Sequence, residues 1–257
     1  MSISIWRIMT GIAGALAIVL AWELLAPPSP ENFPFPSFSA TWASLLALLA
    51  EKPVWVAAAR TVTSAATGFS IALAAAIPVG LIIGSSQIAF HATHFLVEFL
   101  KPIPSIVLLP LVVLVAGPTT TLAVILVAYG CFFPILIQTV AGVHDADPVA
   151  KDTGRSFGLS RLSIMRRIVF PSALPFIFTG LRIAITSALI IAVVAELIGG
   201  APGLGHLVFV AQSAGLYSEL YAYVLLLGVA GVAVNTLATK TERLLLHWHS
   251  SVRIGYT

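Results

Sequence analysis

The stretch that decides the fold is Asp145–Pro171, DADPVAKDTGRSFGLSRLSIMRRIVFP, the one long charged interval in an otherwise apolar chain. It holds Lys151, Arg155, Arg161, Arg166 and Arg167 against Asp145, Asp147 and Asp152. Pro148 can open a helix, because its missing N–H falls where an intrahelical bond is absent anyway. Gly158 interrupts that helix, and Leu162, Met165 and Val169 are then spaced to share one face of a second helix. Pro171 is expected to end this second segment as the next apolar run begins. Two short amphipathic helices joined at a glycine make a knob shaped for a groove on a soluble partner.

Composition places the knob. Of 257 residues, 59% are hydrophobic and 9% charged, against about 25% charged in ordinary soluble domains. Such a chain cannot bury its apolar surface in water, so an all-α polytopic membrane domain spanning 1–257 is expected. A net charge of +3 is too small to suggest nucleic acid. Cys131, the single cysteine, excludes an internal disulfide framework.

The knob also carries a resemblance. Permease subunits of ABC importers have a cytoplasmic loop, EAA-x3-G-x9-I-x-L-P, that docks on the ATPase. Here Asp152-Thr153-Gly154 is followed by three residues ending in Phe157, then Gly158, nine residues, and Ile168-Val169-Phe170-Pro171. The glycine, isoleucine and proline match in type and spacing, while the triplet departs from EAA. Gly154 in place of alanine costs about 1 kcal/mol of helix propensity, so a looser ATPase contact is expected. KPIPSIVLLPLVVLVAGP (101–118) resembles the P-I-P-x4-L-P-L segment of the nitrate, sulfonate and taurine branch. VVAELIGGAPGLG (193–205) resembles the glutamate and G-L-G at the outer end of a span in that branch.

Along the chain, residues 8–26 read as a first span. A cleavable signal peptide is the other reading, disfavoured by the stretch's length and the lack of an A-x-A site. Residues 27–41, with five prolines, read as extended within an outer loop 27–53, with Trp42 and Trp55 as headgroup-level anchors. The core spans fall within 54–239. Val54–Ser86 is one long span in which Gly68, Ala72 and Ala76 offer a face for close helix contact. His91, His94, Glu98 and Lys101 form a polar interfacial face. A metal site there is the weaker reading, since no further ligand pattern supports one.

The uncharged run 102–143 reads as two spans turning at Gly117-Pro118. Pro104 and Pro110 leave carbonyls free, which a membrane tolerates only beside protein or a water-filled cavity; these two residues are expected beside the translocation path. Ser172–Ile198 is the fifth span and holds the deep charges Arg182 and Glu196, functional candidates by default. For Glu196 a structural cap is as good a reading as a ligand contact. Gly203, Leu204 and Gly205 lie in a glycine-rich outer segment expected to face a binding protein. Residues 219–239 make a sixth span, and 240–257 an inner tail.

With six spans, ten of the thirteen Lys and Arg fall on the knob's side, which the positive-inside rule makes cytoplasmic, with both termini. No G-x4-G-K-[ST], G-x-S-x-G, H-E-x-x-H or C-x-x-C occurs. The chain therefore carries no ATPase or hydrolase signature of its own, and no cofactor or metal is assigned to it. The resemblance implies a type I importer permease in a bacterial inner membrane. It also implies two ATPase subunits carrying ATP and Mg, an external binding protein, and a second permease copy about a two-fold axis. Its cargo would be a small anion such as a sulfonate, taurine or nitrate, or a pyrimidine precursor. The competing readings are a secondary transporter, which would show inverted repeats, and an intramembrane enzyme, which would need a catalytic cluster at membrane depth.

Overall fold

The computed structural model describes residues 2–26 and 34–245. Within them, all regular structure is helical, as composition requires. The helices are α1 (Ser2–Leu25), α2 (Phe38–Leu49), α3 (Lys52–Ser85), α4 (Gln87–Leu100), α5 (Leu109–Ala116), α6 (Thr120–Asp145), α7 (Pro148–Ser156), α8 (Arg161–Ile164), α9 (Phe170–Gly199), α10 (Leu204–Ser213) and α11 (Tyr217–Leu245).

The central helix is α6, which supplies the fully buried Leu122, Leu126, Val127, Cys131, Ile135 and Leu136. On one side lies α3, whose buried positions Thr61, Ala65, Gly68, Ala72, Ala76, Gly80 and Ile83 recur every three or four residues. The expected small-residue face is real, and it extends further than Ala76. A Cβ on Gly68 would sit 2.7 Å from the Val124 carbonyl oxygen, and one on Gly80 2.7 Å from Thr139 Cβ. On the other side, Gly142 of α6 meets Ala173 of α9, and Gly180 of α9 meets the carbonyl of Pro134. Lipid offers no hydrophobic drive between apolar helices, so association rests on close backbone approach.

Four helical runs are long and apolar enough to cross a bilayer: α3, α6, the run containing α9, and α11. A fifth is broken: α4 and the Ser105–Ala116 run pass together but bend by 79°. This corrects the reading of residues 102–117 as a span. The 8 residues of α5 reach only about 12 Å, and α4, expected only to lie at the interface, supplies the other half. The cause is local. Pro102 and Pro104 cannot donate, and each disfavours helix at the residue before it. The Leu100 carbonyl is held by the Tyr129 hydroxyl of α6 at 2.9 Å, the protein-side satisfaction a membrane demands. Helix α1 has 24 residues, and its apolar part, Met9–Leu25, is shorter than the four crossing runs.

Two further readings change. Residues 38–41 are already helical, because Ser37 caps α2 by accepting the Ala40 N–H; residues 27–33 lie outside the described residues. Pro171 does not stop the second helix of the knob. A π turn at Met165–Val169 carries α8 directly into α9. Such a bulge displaces the carbonyls a proline ring would strike.

The glycine contacts make a prediction. Gly68→Leu and Gly80→Val should each destabilise the detergent-purified chain by about 1–3 kcal/mol through overpacking. Gly14→Leu, where nothing lies within 4 Å, should leave the melting temperature measured by size-exclusion thermal challenge unchanged.

Candidate functional site

At the charged end, Asp147 caps α7 by accepting the Val149 N–H at 2.8 Å. Gly158 ends that helix at φ +74°, a left-handed conformation that costs side-chain-bearing residues about 1–2 kcal/mol. Its N–H reaches the Arg155 carbonyl, and the Leu159 N–H the Gly154 carbonyl. Ser160 then starts α8 by accepting the Ser163 N–H at 3.3 Å. The two short helices close on each other through Gly154, which is buried; a Cβ there would lie 3.0 Å from Ile168 Cδ1 and 3.4 Å from Ile164 Cγ1. Gly154 is thus a contact position between α7 and the second helix, which the expectation from propensity alone did not contain.

The inward face of the second segment is Ile164, Ile168 and Val169. Leu162, expected on that face, is instead 68% exposed. It joins Val149 at 71% and Phe157 at 82%, three apolar side chains displayed among exposed Asp152, Thr153, Arg155 and Gly158. Asp152 and Arg155 pair at 2.6 Å in solvent, which contributes little to stability. Pro171 is exposed at the root of the projection. Spacing does not single out Val149 and puts Leu162 on the inward face, because helix phase across a glycine joint is not fixed by spacing.

The four candidate path residues are not brought together. Pro104 is exposed and lines a groove of about 310 Å³ with Lys101, Ser105, Tyr129 and Ser187, bounded by α6 and α9. Pro110 is exposed in the first turn of α5. Arg182 is half-exposed and lies 3.7 Å from Glu242 of α11. That partner was not singled out from sequence.

Glu196 is fully buried. Its Oε2 accepts the Thr61 hydroxyl at 2.9 Å and the Gly205 N–H at 3.0 Å. Thr61 Oγ1 in turn accepts the Leu204 N–H at 2.9 Å. A carboxylate from α9 and a hydroxyl from α3 therefore cap the N-terminus of α10, where free N–H groups favour negative charge. Gly203, Leu204 and Gly205, expected at a binding-protein surface, are instead buried around this cap. A Cβ on Gly203 would fall 2.1 Å from Glu196 Cδ, and one on Gly205 2.3 Å from the Val193 carbonyl oxygen. Glycine is required there for close approach. Thr61 could have been suspected from its place on the small-residue stripe of α3.

The sequence over residues 76–245 matches the family described as binding-protein-dependent transport system inner membrane component. The chain is 27% identical over 242 residues to a nitrate import permease protein of Synechocystis sp., covering 91% of this chain and 88% of the relative. It is 31% identical over 205 residues to a taurine transport system permease protein of Escherichia coli, covering 78% and 73%. A bicarbonate transport system permease protein of Synechococcus elongatus is 25% identical over 256 residues, covering 94% and 92%. The fold is that of a chain of the MetNI methionine ABC transporter in an inward-facing crystal form, with a TM-score of 0.62 at 20% identity over 81% of this chain and 98% of that one. It is also that of a chain from an amino acid ABC transporter, with a TM-score of 0.62 at 21% identity over 77% and 97%.

The cap generates a double-mutant test. Glu196→Ala leaves a cavity and strands the buried Gly205 N–H, while the Thr61 hydroxyl keeps the Ala57 carbonyl at 3.2 Å; Gly203→Ala expels the carboxylate from the same cap, so each should destabilise by about 2–4 kcal/mol. In the Glu196→Ala background, Gly203→Ala should cost less than half its effect in the parent. Fully additive losses in melting temperature would show that Gly203 does not act through Glu196.

Proposed function

We propose, from the premise that this chain belongs to the binding-protein-dependent transport system inner membrane component family and is a multi-pass permease subunit of an ABC importer, that it forms half of a path for a small oxyanion. The named cargoes of its relatives are nitrate, taurine and bicarbonate, each a small molecule bearing an oxyanion group. An external binding protein delivers the solute. Two cytoplasmic ATPase subunits, which hold ATP and Mg, supply the work, and the chain itself binds no cofactor. A second identical copy related by a two-fold axis completes the path. Both termini lie on the cytoplasmic side with the α7–α8 projection.

The observation that carries this reading is the projection itself: apolar Val149, Phe157 and Leu162 presented outward on two helices locked by Gly154 and Ile168. Its mechanical consequence follows from helix continuity. Movement imposed on α7 passes through the Gly154–Ile164–Ile168 contact to α8, through the π turn into α9, and from α9 to α6. The groove beside Pro104 lies between α6 and α9, where a change in their relation alters access. Nucleotide-driven closure of the ATPases shifts the spans between inward-open and outward-open states only because it favours one arrangement of the projection over the other.

Uptake in proteoliposomes with the ATPase and binding protein tests this. Gly158→Val should abolish ATP-dependent uptake while membrane insertion persists. Gly158→Asn, which tolerates the left-handed conformation, should keep a substantial fraction. Normal uptake by the valine variant would remove the docking assignment.

A further inference from the structure

The break between α4 and α5 carries a charge into the bundle. Lys101 caps the end of α4, and the Leu100 carbonyl before it is held by the Tyr129 hydroxyl. At the helical rise, Tyr129 lies roughly 14 Å from the Thr120 end of α6 and roughly 24 Å from its Asp145 end. Lys101 therefore sits at membrane depth, not on the interfacial face expected of it. Its ammonium pairs with Glu98 at 2.5 Å, yet the two side chains are 37% and 47% exposed. Charges at that depth face the bundle interior or water, not hydrocarbon. Lys101 opens onto the groove of about 310 Å³, which it shares with Ser105, Tyr129 and Ser187.

The hydrogen-bonding groups left over in this groove are donors. Tyr129 spends its hydroxyl hydrogen on Leu100, and Ser187 spends its own on the Ile183 carbonyl at 2.9 Å. Ser105 keeps its hydroxyl and its N–H unpartnered among the described residues. The Lys101 ammonium has three N–H donors, of which Glu98 takes one, and no carboxylate lines the groove. Gly130 keeps the space beside Ser105 open: a Cβ there would fall 2.4 Å from Ile191 Cδ1 and 3.2 Å from Ser105 Oγ. A few convergent polar groups on largely apolar walls are the usual make-up of a small-solute site, and a cation with free donors selects an anion. Phosphate headgroups lie outside the hydrocarbon core, so the depth excludes a lipid headgroup as the occupant. We propose that the transported solute is held in this groove, with Lys101 and Ser105 donating to its oxyanion group. The proposal rests on the oxyanion reading above and adds the residues that meet the cargo. Glu98 holds the ammonium while the groove is empty and shares it once the anion arrives.

The test uses the complete assembly with its ATPase and binding protein in proteoliposomes, supplied in turn with labelled nitrate, bicarbonate and taurine. Uptake of none of the three by the parent removes the oxyanion reading and this proposal with it. For an anion that the parent imports, Lys101→Gln and Ser105→Ala should each lower uptake on the order of tenfold, while ATP hydrolysis stimulated by the binding protein persists. Lys101→Arg should keep most of the uptake. Glu98→Gln should keep most of it too, because the ammonium stays in the groove. A loss in Glu98→Gln equal to that in Lys101→Gln would show that the lysine serves only the ion pair, and overturns the proposal. Unchanged uptake in Lys101→Gln overturns the site and leaves the oxyanion path standing.

Discussion

The structure depends on how closely α6 can be approached from both sides. Glycine and alanine on α3 bring that backbone against Val124, Val127 and Thr139, while Gly142 and Gly180 bring α9 against the opposite face. Without a hydrophobic drive inside lipid, this contact is what makes three apolar helices one body rather than three separate spans. It also leaves much of the remaining surface apolar and exposed, including Leu111, Leu114 and Val115 of α5 and Val229 and Val232 of α11. A bilayer is the natural cover for such surface.

Two polar devices are attached to this body at its two ends. At one, a carboxylate and a hydroxyl from different spans cap α10 and tie α3, α9 and α10 together in a place where water cannot replace a lost partner. At the other, α7 and α8 form a projection whose inner side is locked by Gly154 and Ile168 and whose outer side is apolar. The π turn makes the projection continuous with α9 rather than a tethered loop.

Much of this was legible from residues alone. The Gly158, Ile168 and Pro171 spacing marked the projection, the Gly68, Ala72 and Ala76 stripe marked the packing face of α3, and Glu196 with the following glycines marked a special site. What escaped depends on contacts between distant segments. Propensity gave Gly154 a cost and no benefit, because Ile168 is its neighbour only once α7 and α8 fold together. Gly203–Gly205 read as an outer surface because their reason, a carboxylate and a carbonyl within a Cβ's reach, comes from α9, with Thr61 contributed from 135 residues before Glu196. Pro171 read as a terminator because a π turn leaves no trace in hydrophobic spacing. The broken span was half visible: Pro104 and Pro110 marked an irregular backbone, but the partner half, α4, was masked by its histidines and Glu98.

The most direct measurement places a photo-activatable cross-linker at Phe157 in the intact membrane complex and identifies the adduct with and without ATP. The account predicts an adduct with the cytoplasmic ATPase subunit whose yield changes with nucleotide. An adduct with the external binding protein, or none with the ATPase in any nucleotide state, would contradict it.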